Sequence, residues 1–100
     1  MDVEACIFHP EAGAEYTQAV EYYAGIRSDL GNRFYDEIER LVSEIGRHPD
    51  RFFRFSPPAR RALSREFPNS VVYLEQSDGV WIVAVMHAKR RPDYWKHRLK

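Results

Sequence analysis

Residues 70–88 read SVVYLEQSDGVWIVAVMHA, which is the pattern of two β-strands joined by a tight turn. Residues 70–76 carry Val-Val-Tyr-Leu at their centre, and residues 77–79, Ser-Asp-Gly, are typical of a hairpin turn. Residues 80–88 are apolar on both faces, which is typical of a strand in the middle of a sheet. We therefore expect an antiparallel hairpin at the centre of the fold.

The first half of the chain predicts one strand followed by two helices. Within residues 2–8, apolar side chains alternate at a period of two, which indicates a short strand. Apolar residues then recur at spacings of three and four over residues 10–28, and again after residues 30–32 until Pro49 ends the pattern. Two helices with so short an interruption predict an antiparallel helical hairpin. The side chains expected on the apolar face of the strand are Val3, Ala5 and Ile7.

The region between the helices and the central hairpin predicts a loop and one more strand. Residues 49–58 hold three prolines, and we expect this loop to cover Phe52, Phe53 and Phe55. Residues 59–67 predict a strand whose alternation is weak. The resulting order is β-α-α-β-β-β, an α+β domain in which the helical hairpin packs on a small, mostly antiparallel sheet.

Length and composition restrict the class of protein. One hundred residues suffice for a single domain, which we place at residues 1–100. A hydrophobic content of 44% excludes wholesale disorder, and a single cysteine excludes an internal disulfide framework. No apolar run approaches the ~20 residues of a membrane span. We therefore expect a small cytoplasmic protein that does not act on a membrane.

The zero net charge conceals two oppositely charged halves. Residues 1–46 carry ten acidic and three basic side chains, whereas residues 47–100 carry five acidic and twelve basic ones. The formal charges are therefore −7 and +7. A basic half predicts binding to a phosphate backbone or to an acidic protein; the alternative is that two solvated faces simply differ in sign.

The last twelve residues interleave basic and aromatic side chains. This pattern is typical of sites for single-stranded nucleic acid, in which cations contact phosphates and rings stack on bases. Arg60, Arg61 and Arg65 lie on the predicted strand before the central hairpin, and we expect them to line one electropositive groove with the tail. A second interpretation, compatible with the first, is that the tail folds back on the core, with Trp95 packed and the arginines exposed. The basic residues of the tail are Lys89, Arg90, Arg91, Lys96, Arg98 and Lys100.

His87 closes the last predicted strand, immediately before the basic cluster. RNA cleavage needs a group that takes the proton of the 2′-hydroxyl, cations that stabilise the charged phosphorane, and a donor to the leaving oxygen. His87, Tyr94 and Arg90 are of the right types and lie near one another in the sequence. Neighbouring cations favour the neutral form of the histidine, which is competent as a base. The alternative is a hydrogen-bonded structural histidine at a strand end.

Other arrangements that support chemistry are absent from the sequence. The cysteine and the histidines lack the spacing of metal ligands, and the serines lack a nucleophile-elbow context. The glycines form no phosphate-binding loop. We therefore expect a protein that uses neither a metal nor a cofactor.

Several short motifs resemble the RelE/ParE toxins of type II toxin–antitoxin systems. The most specific is the end of the last strand, residues 84–88, AVMHA, followed by residues 90–95, RRPDYW. The other motifs are Phe8-His9-Pro10-Glu11-Ala12, Tyr22-Tyr23, Leu30-Gly31-Asn32-Arg33-Phe34, Arg60-Arg61 and Phe67-Pro68. The resemblance covers nearly the whole chain. It implies a helical hairpin packed on a sheet, and a neighbouring antitoxin that wraps and silences the toxin.

The family that these motifs resemble divides by activity. RelE-type members cut messenger RNA in the ribosome with basic residues on the central strands and a C-terminal arginine and tyrosine. The residues that match this pattern here are Arg65, Lys89, Arg90 and Tyr94. The pattern departs at residues 70–73, SVVY, where RelE-type enzymes carry an arginine within the penultimate strand. ParE-type members instead inhibit DNA gyrase by binding, and their final strand ends in a histidine followed by a basic residue, as the last strand does here.

We therefore predict a toxin that a cognate antitoxin neutralises and that cleaves messenger RNA in the ribosome through a basic groove. The candidate catalytic residues are His87, Arg90, Tyr94 and Arg65. The candidate nucleic-acid-binding residues are Arg60, Arg61, Lys89, Arg91, Lys96 and Arg98. The alternatives are a ParE-type inhibitor of DNA gyrase that acts without catalysis, and a degenerate relative that only binds an antitoxin.

Overall fold

The computed structural model describes residues 5–99, which form two helices and a four-stranded sheet. The elements, in chain order, are strand β1 (Cys6–Phe8), helix α1 (Pro10–Ile26), helix α2 (Ser28–Arg47), strand β2 (Arg60–Leu63), strand β3 (Asn69–Gln76), strand β4 (Gly79–His87) and a single 3-10 turn (Lys96–Leu99). This is the predicted order of one strand, two helices and three strands.

The sheet has the strand order β1-β4-β3-β2. The pairs β2–β3 and β3–β4 are antiparallel, whereas β1 lies parallel to β4, so the sheet is mixed. Strand β4 has neighbours on both sides and is buried along most of its length, which confirms that the strand with two apolar faces is central.

A β-bulge in β4 changes which side chains face the helices. Val72 pairs with Ala84 but Tyr73 pairs with Ile82, so Val83 is an extra residue on β4. We call the two sides of the sheet the helix face and the tail face. The buried side chains of the strands that pack on the helix face are Ala62, Val71, Tyr73, Val80, Ile82 and Val85. Those on the tail face are Val72, Leu74, Val83, Ala84 and Met86, which pack with Trp95.

The helical hairpin is present, but the break between its helices is not where the sequence indicated. Helix α1 begins at Pro10, and the His9 side chain caps it by accepting a 3.0 Å hydrogen bond from the backbone N–H of Glu11. The chain leaves the helix at Arg27, whose backbone is extended, and re-enters it at Ser28. The expected interruption at residues 30–32 was wrong, because those residues lie inside α2.

Strand β1 turns the opposite face to the core from the one predicted. Ile7 is 59% exposed, whereas Cys6 and Phe8 pack against the core on the helix face. The cause is the register with β4, in which Phe8 lies beside Ile82, a residue of the helix face. Val3, which shared the predicted face, lies outside the described residues.

Strand β2 is shorter than predicted, and the loop before it leaves one of its phenylalanines exposed. The strand ends at Leu63 instead of continuing to residue 67. Beyond that point the Ser64 hydroxyl and the backbone N–H of Arg65 donate to the Glu37 carboxylate on α2, so the chain turns toward the helix. In the preceding loop, Phe53 is 57% exposed and is not covered as we had expected.

Candidate functional site

A cavity of about 310 Å³ opens at the C-terminal end of β4, between α1 and the loop that follows the strand. The predicted residues His87, Arg90 and Tyr94 all line it, together with Glu15 and Tyr23 from α1. We call it the His87 cavity. Three of the four predicted catalytic residues therefore line one cavity, whose walls come from the strand, the loop after it and helix α1.

His87 is the last residue of β4 and pairs with Asn69 on β3. Its Nδ1 accepts a 3.0 Å hydrogen bond from the backbone N–H of Lys89. An acceptor nitrogen carries no proton, which assigns the proton of the neutral ring to Nε2. In this arrangement the ring presents an N–H donor rather than the lone pair of a base, so the expected role as a base is not supported by its hydrogen bonding.

Tyr94 is held by a carboxylate, and its ring supports Arg90. The Tyr94 hydroxyl donates a 2.6 Å hydrogen bond to Oε2 of Glu15. Burial, followed by this hydrogen bond and the negative charge of Glu15, raises the pKa of Tyr94 well above the usual value of a phenol. The guanidinium carbon of Arg90 lies 3.8 Å from the centroid of the Tyr94 ring, which is cation–π geometry. Arg90 itself is exposed, so its charge remains accessible to a ligand.

Arg98, predicted as an exposed nucleic-acid contact, is buried. It is 5% exposed, and its two terminal nitrogens donate to the two oxygens of Glu15 at 2.9 and 3.0 Å. One of them also donates to the carbonyl of Val83 at 3.0 Å. The expectation that the arginines of the tail are exposed was therefore wrong for Arg98, because its charge is neutralised inside the fold.

The tail covers the tail face of the sheet. Trp95 is fully buried there, which confirms the prediction that this ring is packed. Phe55 and Leu99 pack beside it. Of the other basic residues of the tail, Lys89, Arg91 and Lys96 are exposed, and Lys100 lies outside the described residues. The C-terminal segment is thus part of the core and a carrier of surface charge at once.

Arg60 and Arg61 do not line one groove, since consecutive residues of a strand point to opposite faces. Arg60 pairs with Tyr73 and donates to the carbonyl of Phe52 at 2.8 Å, with Glu75 at 3.4 Å. Arg61 lies on the tail face, where its guanidinium carbon is 4.1 Å from the ring centroid of Phe55. The predicted convergence of the strand arginines was therefore wrong.

Arg61 instead shares a smaller cleft with Arg90. This cleft has a volume of about 210 Å³ and lies on the tail face between Phe55, Met86 and Pro92. Arg90 also lines the His87 cavity, so one guanidinium borders both openings. The basic groove that was expected is reduced to Arg61 and Arg90.

Arg65, the fourth predicted catalytic residue, lies elsewhere. It is exposed in a separate cleft of about 440 Å³ on α2, lined also by Arg33, Glu37 and Glu66. Arg33 and Glu66 form an exposed ion pair at 3.2 Å. Arg65 lines neither the His87 cavity nor the cleft of Arg61, so the structure does not group it with the other three candidates.

Glu15 is the site residue that sequence reasoning missed. A single glutamate on an amphipathic helix is ordinarily solvated, and nothing local distinguishes Glu15 from Glu11 one turn earlier. Its partners Tyr94 and Arg98 lie 79 and 83 residues further along the chain. The only sequence feature that pointed to a contact between them was the acidic first half of the chain together with the basic tail.

Within residues 5–99, no group of three or more His, Cys, Asp or Glu side chains is placed to hold a metal ion. The helices of this same range are not long and apolar enough to cross a membrane. A scan of the sequence against models of protein families finds no match, and a search of curated proteins finds no matching relative.

Proposed function

We propose that this protein is the toxin of a type II toxin–antitoxin module, with a RelE/ParE-like fold, and that a cognate antitoxin neutralises it. The motifs of the sequence carry this proposal, above all the histidine at the end of the last strand followed by Arg-Arg-Pro-Asp-Tyr-Trp. The arrangement of a helical hairpin on a four-stranded mixed sheet is compatible with it.

Binding, without catalysis, is the mode of action that the cavity supports best. One observation carries this conclusion: both acid–base side chains of the His87 cavity are already engaged by internal partners. Nδ1 of His87 accepts from the backbone of Lys89, and the Tyr94 hydroxyl donates to Glu15. Among the predicted residues, the cavity offers a partner the His87 Nε2–H and the Arg90 guanidinium, both of them donors to an anionic group. The target that the resemblance implies for such a toxin is DNA gyrase.

Cleavage of messenger RNA in the ribosome is the second candidate. It is favoured by the meeting of His87, Arg90 and Tyr94 in one cavity. Arg90 would stabilise the charged phosphorane that forms when a 2′-hydroxyl oxygen attacks the neighbouring phosphorus. This candidate requires that target binding release the His87 ring or the Tyr94 hydroxyl from its present partner, because proton transfer needs one of them.

Induced expression in a bacterial host separates the two candidates. Pulse labelling of DNA and of protein after induction is expected to show DNA breaks and filamentation with continuing protein synthesis if gyrase is inhibited. Immediate loss of protein synthesis with cut messages would instead establish the ribosomal target. Absence of any growth defect, with the folded protein present at high level, would contradict the toxin proposal.

Two substitutions of His87 test its role within the cavity. His87→Asn places an oxygen near the Nδ1 position and lacks the outward Nε2–H, whereas His87→Gln places its amide nearer Nε2. A binding role predicts that His87→Gln retains more toxicity than His87→Asn, since only the glutamine offers an outward donor. A proton-transfer role predicts that both variants lose toxicity, because an amide does not titrate.

A further inference from the structure

Glu15 connects more of the fold than any other residue of the His87 cavity. Its Oε1 accepts from the backbone N–H of Val85 at 3.0 Å and from Arg98 at 2.9 Å. Its Oε2 accepts from the Tyr94 hydroxyl at 2.6 Å and from Arg98 at 3.0 Å. One carboxylate of α1 is thereby bonded to β4 and to two residues of the tail.

These bonds orient the carboxylate rather than only neutralise Arg98. A counterion for Arg98 would need no contact with the backbone, yet Val85 binds the same oxygen. Val85 lies two residues before His87 on β4, and both residues line the cavity. The Tyr94 hydroxyl is therefore held at a fixed distance from the strand that carries the histidine.

The Tyr94 ring in turn determines where Arg90 lies. The guanidinium of Arg90 stacks 3.8 Å from the ring centroid, and the side chain is otherwise exposed on the loop after β4. An exposed arginine samples many rotamers, so a fixed aromatic surface restricts it. The position of Arg90 therefore depends on the Tyr94 ring, and the position of that ring depends on Glu15.

We propose that Glu15 is a positioning residue of the His87 cavity: through the Tyr94 hydroxyl it fixes the ring on which Arg90 stacks, and so directs Arg90 at the anionic group of the target. The identity of that target rests on the proposed function, whereas the placement of Arg90 does not. The oxygens of Glu15 already accept from Val85, Tyr94 and Arg98, so its effect on the target runs through Arg90.

The test is the ring-current shift of the Arg90 side chain, measured by NMR on the whole protein. Stacking on Tyr94 is expected to move the Arg90 Hδ and Hε resonances upfield, and an Arg90→Lys variant identifies them. In Glu15→Gln and in Tyr94→Phe these resonances should move toward the values of an unstructured arginine. The phenylalanine variant keeps both the ring and the Glu15–Arg98 pair, so it tests the hydroxyl in a chain that retains the buried ion pair.

Two variants serve as controls. Glu21→Gln removes an exposed carboxylate of the same helix, six residues later, and should leave the Arg90 resonances in place. Tyr73→Phe removes another tyrosine hydroxyl, which donates to the carbonyl of Pro49 away from the cavity lining, and should also leave them in place. Unchanged Arg90 resonances in either Glu15→Gln or Tyr94→Phe would overturn the proposal, as would an equal loss of the shift in Tyr73→Phe.

A functional measurement distinguishes this proposal from the proposed function. If the protein is a toxin, Glu15→Gln should need roughly tenfold or more inducer for the same growth arrest, and Glu21→Gln should match the parent chain. Equal toxicity of Glu15→Gln and the parent would overturn the role of Glu15 in target binding. If the parent chain arrests no growth, the toxin proposal fails, and the NMR result still decides whether Glu15 positions Arg90.

Discussion

The backbone N–H of Arg65 donates a 2.8 Å hydrogen bond to Oε2 of Glu37, which ties the connection between β2 and β3 to helix α2. The Ser64 hydroxyl donates to the same oxygen at 2.8 Å, and Arg40 donates to both oxygens of the carboxylate. Glu37 is only 7% exposed, yet each of its oxygens has a partner. A buried carboxylate with this many donors is a fixed point of the fold.

Glu37 is expected to make stability depend on acid pH. Burial alone would raise its pKa, but the hydrogen bonds from Arg40, Arg65 and Ser64 outweigh burial and hold it at about 2, below the ordinary 4.5. The contribution is therefore present above the unfolded-state pKa and is lost as the pH falls from about 5 to about 2. Glu37→Gln should cost about 2 kcal/mol at neutral pH and flatten this dependence.

Urea unfolding at a series of pH values measures the effect of Glu37. The matched control is Asp36→Asn, because Asp36 neighbours Glu37 on α2 but is exposed. An acid-pH slope that survives unchanged in Glu37→Gln would disprove the assignment.

Gly31 is expected to tolerate no side chain. A Cβ at this buried position would lie 2.7 Å from the Cβ of Ala24, so α1 and α2 are in close contact there. Gly31→Ala should therefore cost about 1–3 kcal/mol, because one helix must move. Gly13 is a helical glycine with open space at its Cβ, and Gly13→Ala should raise stability by up to about 1 kcal/mol. Thermal melting of the two variants gives opposite shifts if the close approach is real.

Substitution of Arg98 is expected to lower the stability of the fold, whereas substitution of Arg90 is expected to weaken toxicity without lowering stability. Arg98→Ala leaves the half-buried Glu15 carboxylate without its main partner and should cost about 3 kcal/mol. Arg90→Ala should leave the unfolding curve unchanged, since Arg90 is exposed, while it weakens toxicity. Denaturation and growth arrest, measured on the same two proteins, check this. Equal loss of stability in both variants would contradict the division.

Trp95 is expected to be as important for folding as any residue of the helix-face core. It is fully buried against the tail face, so Trp95→Ala should cost about 3–5 kcal/mol. Trp95→Phe retains a ring and should cost less. Urea unfolding followed by circular dichroism measures both variants, because each substitution removes the buried fluorophore itself. Loss of stability no greater than for an exposed position would exclude the packed tail.

Local sequence patterns were sufficient to predict the helices and strands, but not the register and contacts between them. The hairpin of residues 70–88 was predictable because turn residues and apolar strands adjoin in the sequence. The central place of β4 followed from its two apolar faces. The exposed face of Ile7 was not predictable, since a strand of three residues takes its register from β4 and not from its own alternation.

The candidate site was predictable only where its residues adjoin in the sequence. His87, Arg90 and Tyr94 were grouped correctly because eight residues hold all three. The division of Arg60 from Arg61 required knowing that β2 is a regular strand. The burial of Arg98 required knowing that Glu15, on the first helix, would meet it.

Val83, the extra residue of the bulge, determines on which face of the sheet His87 lies. With regular alternation from Ile82 onward, position 87 would project from the tail face, beside Trp95 and away from α1. At the bulge, Val83 and Ala84 both lie on the tail face, so the alternation resumes one residue later. The imidazole of His87 therefore lies on the helix face, among Glu15, Tyr23 and Arg90. A strand of the same length that paired regularly with β3 would carry the histidine on the tail face, so the bulge ahead of the motif matters as much as the motif.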